Sequence, residues 1–300
     1  MKVLIIGLGS IAKKHIKALL ETDPLCRIYA LRSSPDATPE PNVINIAELS
    51  ECNDPDFIII SNPTALHADA IKSVLKLKRP LFIEKPPFHI IEDAEIILPL
   101  LPKDIITYTA FNLRFLECLQ YLKEKIKIED VQEVNVYCGS YLPEWRSTDY
   151  KKSYSAQDSM GGGVHLDLIH ELDYITWIFG APQDIRKTLR SQSAIDVNSV
   201  DYANYVLTYP GFAVNIVLNY YRRDPKRSCE ILLKDTTLLA DLMKNSITDL
   251  LGSKEIFSSK QTVQDTYLQQ MKYFINCTKK NTSPFNSLKE SVETLKLAKS

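Results

Sequence analysis

Continuous apolar runs recur through the first third of the chain: Val3 to Ile6, Ile28 to Leu31, Phe57 to Ile60 and Leu81 to Ile83. Such runs belong to strands buried on both faces. Between them lie longer stretches with helical spacing, beginning with Lys13 to Leu20. Strand alternating with helix predicts a doubly wound parallel α/β sheet, ending near residue 112.

From about residue 130 the pattern changes. Val131 to Ser140 is strand-like, and a polar loop rich in Tyr, Trp and Arg follows. After Gly161-Gly162-Gly163 a helical pattern begins. Strand-like runs then come close together, near 184–192, 201–209, 212–222, 228–234 and 236–242, with Pro210-Gly211 as a tight turn. Short connections imply an antiparallel sheet. Val263, Tyr267, Met271, Phe274 and Ile275 mark an amphipathic helix, and Ser287-Leu288-Lys289-Glu290 reads as a capping box opening another. The second domain, 113–300, is therefore expected to be α+β, with a mostly antiparallel sheet and flanking helices. Tyr, Val and Leu between 201 and 222 give that sheet apolar character on both faces. One face would be covered by helices and the other would pair with a second subunit, giving a homodimer or homotetramer.

Composition narrows the function. The net charge of −1 and the lack of a basic stripe argue against a nucleic-acid partner. Six cysteines without C-x-x-C spacing read as reduced packing residues of a cytoplasmic protein. The first strand starts at residue 2, so no signal peptide is expected, and no apolar stretch reaches membrane-spanning length. No metal site is expected. Pro35, Pro39 and Pro41 mark a loop beyond the second strand.

The candidate chemistry lies where strands end. Gly7-Leu8-Gly9-Ser10-Ile11-Ala12 after the first strand is G-x-G-x-x-A, the fingerprint of a dinucleotide-binding βαβ unit. Gly7 permits the turn, Gly9 admits pyrophosphate, and the helix opening at Ser10 and Ile11 offers free N–H groups. The second strand ends in Arg32-Ser33-Ser34. An acid there would suit the ribose hydroxyls of NAD, whereas Arg and two serines suit a 2′-phosphate, so NADP is expected, with NAD possible. Ser61, Asn62, Pro63 and His67 follow the next strand, and Glu84, Lys85 and two prolines the one after; Ser61, Asn62, Pro63, His67, Glu84 and Lys85 are expected to contact the cofactor. Lys85 on a rigid strand end is a candidate acid/base, since burial favours the neutral amine. On one continuous helix, Asp167, His170 and Tyr174 share a narrow arc. A carboxylate beside an imidazole orients it and favours its charged form.

Taken together, GLGSIA, Ser61-Asn62-Pro63, Glu84-Lys85-Pro86 and the Gly-Gly-Gly helix with Asp167 and His170 resemble the Gfo/Idh/MocA oxidoreductases over nearly the whole chain. Phe111-Asn112-Leu113-Arg114-Phe115 resembles the segment linking that family's two domains, and Tyr267 to Ser300 its closing helices. Tyr141 to Tyr150 resembles a subgroup found with polysaccharide and nonulosonic-acid sugar pathways. The resemblance implies a Rossmann domain and NAD(P)-dependent hydride transfer at a carbinol or carbonyl carbon of a sugar, sugar derivative or cyclitol. Lys85, Asp167 and His170 would be the catalytic group, with Lys85 or His170 as proton donor. Many members place the His four residues after the Asp; here the spacing is three. Nicotinamide is expected at the carboxyl ends of the parallel strands, held by Asn112 and the Ser61–Pro63 turn. The substrate is expected against Arg114, Trp145, Arg146, Tyr154 and the Asp167/His170 face, with the two arginines available to an anionic group. The other readings are a non-catalytic cofactor-sensing regulator, an enzyme using bound NAD only transiently, as in epimerisation or glycoside cleavage, and a structural or scaffold protein with a vestigial pocket.

Overall fold

The computed structural model describes residues 1–32, 38–147 and 149–299. The chain forms two compact units, one of Met1–Phe111 with Tyr267–Lys299 and one of Asn112–Thr266.

The first unit is built on six parallel strands: β1 (Lys2–Ile6), β2 (Arg27–Leu31), β3 (Val43–Ile46), β4 (Phe57–Ile60), β5 (Leu81–Ile83) and β6 (Thr107–Thr109), in the order β3-β2-β1-β4-β5-β6. Every residue of β4 and β5 is buried, as their unbroken apolar runs require. Helices α1 (Ser10–Thr22), α2 (His67–Val74) and α3 (Ile91–Ile97) follow β1, β4 and β5. Strand order reverses direction at β1, so the turns after β1 and β4 lie side by side at the carboxyl edge, where open α/β sheets bind ligands. The sequence pattern shows neither β3 nor β6. Each is only three or four residues long and carries polar side chains.

The second unit is built on an eight-stranded sheet: β7 (Val131–Tyr141), β8 (Asp184–Arg190), β9 (Tyr202–Tyr209), β10 (Phe212–Asn219), β11 (Tyr221–Leu233), β12 (Thr237–Asp241), β13 (Ser246–Asp249) and β14 (Lys254–Ser258), in the order β14-β13-β12-β11-β7-β10-β9-β8. All neighbours are antiparallel except β7 and β10. Pro210-Gly211 makes the expected hairpin turn, with Gly211 at φ +90°. Helices α4 (Glu117–Lys125), α5 (Val164–Asp167) and α6 (His170–Phe179) complete the unit. Ala203, Tyr205 and Leu207 of β9 are buried, whereas Asn204, Val206 and Thr208 of its other face are not. That other face is mixed rather than apolar, with Asn204 Nδ2 donating to Asn215 Oδ1 at 2.8 Å.

The expected second domain of 113–300 is thus too long. Helices α7 (Val263–Lys280) and α8 (Leu288–Lys299) close the chain, and the division falls in the first turn of α7. Phe274 of α7 packs its ring on Phe57, Phe82 and Tyr108 of the parallel sheet. Asn286 Nδ2 donates to Thr109 O at 2.7 Å and Leu288 N to Thr107 Oγ1 at 3.0 Å. These buried contacts tie 267–299 to β4, β5 and β6. The capping box forms as expected, Ser287 N donating to Glu290 Oε2 at 2.7 Å.

Candidate active site

Gly7 sits at φ +89°, and a Cβ on it would lie 2.3 Å from the Asn62 backbone nitrogen. The turn after β1 and the turn after β4 therefore touch backbone to backbone, which only glycine allows. Ser61 locks the contact, its Oγ donating to Gly7 O at 2.8 Å. Among the described residues, a Cβ on Gly9 would meet nothing within 4 Å. Gly9 caps α1 without a side-chain bond, and no acid stands in the first helical turn at Ser10 and Ile11. An uncapped, acid-free helix N-terminus behind an open glycine suits a phosphate. Asn62 Nδ2 donates to Leu66 O at 3.1 Å, while Asn62 Oδ1 is buried with no partner among the described residues and is left to accept from a ligand hydroxyl or amide. The residues present fit a dinucleotide. Pro63 is exposed and opens the Thr64–Leu66 turn. Arg32 stands half-buried directly after β2, its N–H on Ile46 O; Ser33 and Ser34 lie outside the described residues.

His67 is buried between two turns. Its Nε2 lies 3.0 Å from Asn62 O and its Nδ1 3.2 Å from Pro87 O. Burial holds its pKa below the ordinary value, against the two carbonyls. The neutral ring carries one N–H, so it donates to one of these carbonyls and packs against the other, between the β4 turn and the segment after β5. Glu84 is buried as well: its Oε1 lies 2.5 Å from His15 Nε2 on α1, and its Oε2 accepts the Lys85 N–H at 3.1 Å. Lys85 is half-buried, and its bond to Pro86 is cis.

In the second unit the three glycines set the site. A Cβ on Gly162 would lie 2.1 Å from Tyr154 O, and Gly163 adopts φ +123°. Gly162 N donates to Gln157 O at 3.0 Å and Gly163 N to Ser155 O at 3.1 Å. This close backbone approach presents Tyr154, whose phenol donates to Asp167 Oδ1 at 2.7 Å. Tyr220 donates to Asp167 Oδ2 at 2.5 Å. Burial first, and then the Asp167 charge, raise both phenols well above their ordinary pKa, so they stay protonated donors.

The single helix expected from Val164 through Tyr174 is two. Asp167 ends α5 and His170 begins α6, with a turn at Leu168 and Ile169. The hydrogen-bond ladder slips there, Ile169 and Glu171 donating to the residue three back where Leu168 and Asp173 donate four back. A fixed 100° step per residue therefore does not carry from Asp167 to His170. Both are buried, and Tyr174 is a fully buried core residue.

Arg114 corrects a further expectation. Its Nε and Nη2 donate to Asp173 Oδ2 and Oδ1 at 2.9 and 2.7 Å, so a carboxylate of this chain takes the fork offered to an anionic substrate. Burial pushes the Asp173 carboxyl up, against the guanidinium. Removing either buried partner would cost about 3–5 kcal/mol. A second buried pair joins Arg227 to Glu171 at 2.6 and 3.0 Å. Asn112 is buried, its Nδ2 on Thr266 Oγ1 at 2.7 Å. Trp145 packs edge-on against Tyr220 and donates to Ser140 Oγ at 2.9 Å. Arg146 is exposed, its guanidinium 5.3 Å from the Tyr154 ring centre. No group of His, Cys, Asp and Glu among the described residues could hold a metal ion.

Sequence reasoning passes over His15 and Tyr220. His15 lies inside a helix pattern that the phosphate turn explains without it. Tyr220 falls within the strand-like run 212–222, where an aromatic is ordinary. Only the tertiary fold gives either a carboxylate partner.

Residues 1–109 match the Gfo/Idh/MocA oxidoreductase family with its NAD-binding Rossmann fold, and residues 119–238 match the Gfo/Idh/MocA C-terminal domain. Myo-inositol 2-dehydrogenase of Thermotoga maritima is 24% identical over 95% of this chain and 90% of its own length. The structure of UDP-N-acetylglucosamine 3-dehydrogenase from Acidithiobacillus ferrooxidans shares the fold, with a TM-score of 0.81 over 99% of this chain and 95% of that one, at 18% identity. Levoglucosan dehydrogenase, in complex with NADH and levoglucosan, gives a TM-score of 0.84 over 99% and 95%, at 15% identity. With its phosphate-ready turn after β1 and both family domains in order, the chain belongs to the Gfo/Idh/MocA oxidoreductases and takes a nicotinamide dinucleotide.

Proposed function

We propose that this protein is an NAD(P)-dependent dehydrogenase or reductase acting at a carbinol or carbonyl carbon of a sugar, sugar derivative or cyclitol. The observation that carries the reading is the uncapped, acid-free N-terminus of α1 behind the open Gly9. Relatives that act on inositol, levoglucosan and a nucleotide sugar support the substrate class. Bound nicotinamide supplies the hydride acceptor or donor. The backbone N–H groups at Ser10 and Ile11 hold the pyrophosphate, and Asn62 Oδ1 accepts from the dinucleotide. Asn112, Ser61, Pro63 and Glu84 frame its nicotinamide end, Glu84 through the Lys85 backbone. Arg32, directly after β2, favours the 2′-phosphate of NADP. Lys85 Nζ or the His170 ring moves the substrate hydroxyl proton. Asp167, fixed by two phenols, orients the His170 ring where that ring is the carrier. Trp145, Arg146 and Tyr154 contact the substrate, whereas Arg114 serves by holding α6 through Asp173.

A panel of sugars, uronic acids and cyclitols, followed by NADPH and NADH absorbance, tests the reading. One substrate class is expected to give a stoichiometric change in dinucleotide. Product without net change would indicate transient use of bound cofactor. Failure to bind either dinucleotide would overturn the assignment.

Assembly belongs to the same proposal. The uncovered face of the eight-stranded sheet carries Val206, 37% exposed, among polar neighbours, and suits a second copy of the chain. Light scattering at micromolar concentration is expected to show a homodimer or homotetramer, and a clean monomer would count against it. All six cysteines are buried free thiols, which fits the reducing cytoplasm. Among the described residues no helix is long and apolar enough to cross a membrane.

A further inference from the structure

We infer that His15 is a positioning residue for Lys85, acting through Glu84. The inference rests on the reading of Lys85 as a proton carrier.

His15 lies on the buried side of α1, the helix whose N-terminus receives the dinucleotide phosphates. Its ring is wholly buried, edge-on to Phe82 at 4.9 Å and to Tyr267 at 6.0 Å. Nε2 stands 2.5 Å from Glu84 Oε1, and Nδ1 is buried with no partner among the described residues. Among those residues the ring's one polar contact is thus the Glu84 carboxylate. Turning the ring away would bury both nitrogens and a carboxylate oxygen unpaired, so this single contact fixes its orientation.

Glu84 spends its second oxygen on the next residue, accepting the Lys85 N–H at 3.1 Å. A pair that served packing alone would end at Glu84; here the constraint runs one residue further. Glu84 follows β5, and β5 is separated from β1 by β4 in the sheet. The chain His15, Glu84, Lys85 N therefore spans β4. It ties the helix that grips the cofactor to the backbone from which Lys85 projects. Rates of positioned reactions fall by up to about 10²-fold when a group moves by about 1 Å, so a brace between cofactor helix and proton carrier bears directly on turnover.

Two near-isosteres separate this role from packing. In His15→Gln the amide nitrogen reaches the place of Nε2 and keeps the bond to Glu84. In His15→Asn the amide ends at the place of Nδ1 and loses it. The full-length protein is reductively methylated with ¹³C-formaldehyde, and the Lys85 dimethylamine resonance is assigned by its loss in Lys85→Arg. Its shift against pH is then compared among variants, alongside kcat of unmodified protein and dinucleotide affinity by fluorescence. The Lys85 resonance is expected to move in His15→Asn and to return in His15→Gln. kcat should follow it, falling about ten- to a hundredfold and recovering. Dinucleotide Kd should stay within about threefold throughout. Should His15→Asn not fold, Glu84→Met breaks the chain from the other side, because it keeps the length of the side chain and removes both oxygens that meet His15 and Lys85 N. An unmoved Lys85 resonance in the broken variants overturns the proposal whatever the rate does, and so does a loss that His15→Gln does not rescue. A moved resonance with normal turnover in Lys85→Ala would uphold the brace and instead remove Lys85 as proton carrier.

Discussion

Tyr220 donates its phenol to Asp167 Oδ2 at 2.5 Å, from the residue that joins β10 to β11. The bond fixes one oxygen of a buried carboxylate, and Tyr154 fixes the other. Asp167 thus has a defined orientation before any substrate arrives, and its position depends on the sheet as much as on its own helix.

Removing that donor should show in both stability and rate. Tyr220→Phe keeps the ring against Trp145 and deletes one charge-assisted hydrogen bond, worth about 1.5–3 kcal/mol. Urea unfolding should register that loss, and kcat should fall with the dinucleotide Kd unchanged. Full activity with full stability would show that Asp167 does not depend on the second phenol.

Arg32 makes a separate claim about cofactor choice. Fluorescence titration is expected to show tighter binding of NADPH than of NADH. Arg32→Asp should reverse the order, since a carboxylate accepts from ribose hydroxyls and repels a 2′-phosphate. Equal affinities in the starting protein would remove Arg32 from that role.

Periodicity carries the two folds because their signals differ in kind. Unbroken runs such as Phe57–Ile60 admit only doubly buried strands, while alternation in Tyr202–Tyr209 admits a sheet with one covered face. The phosphate turn is legible for a similar reason, since Gly7 and Gly9 are needed by backbone geometry that sequence spacing reports directly. The catalytic neighbourhood is legible only by residue type. The slip of the ladder at Ile169 and the capture of Arg114 by Asp173 depend on contacts distant in sequence. No local pattern predicts that a guanidinium is already engaged. The C-terminal helices return to the first unit for the same kind of reason: Phe274 finds its aromatic partners far upstream, at Phe57, Phe82 and Tyr108.

His67 should leave a mark on stability against pH. Burial lowers its pKa in the folded protein from the ordinary value of 6.5, while the unfolded chain keeps that value. Below about pH 6.5 the unfolded state therefore binds a proton that the folded state refuses, and stability falls with pH. Above that value the contribution is fully present. Urea unfolding of the wild type should weaken between pH 7.5 and 5 more steeply than that of His67→Asn, which carries no titrating ring. Identical slopes would mean that His67 is protonated equally in both states.

The proton carrier is decided by three substitutions together. Lys85→Ala should remove most turnover, by about 10²–10⁴-fold, if Lys85 Nζ moves the substrate proton. Asp167→Asn should then do less, because a neutral amide still accepts from a phenol at one position and only the orientation suffers. If His170 is the donor instead, Asp167→Asn should do as much as Lys85→Ala or more. His170→Asn separates the two cases, and the pH–rate profile of each variant shows whose limb disappears. Near-normal turnover in Lys85→Ala with loss in His170→Asn would make the lysine a binding residue. Near-normal turnover in both would place the chemistry elsewhere.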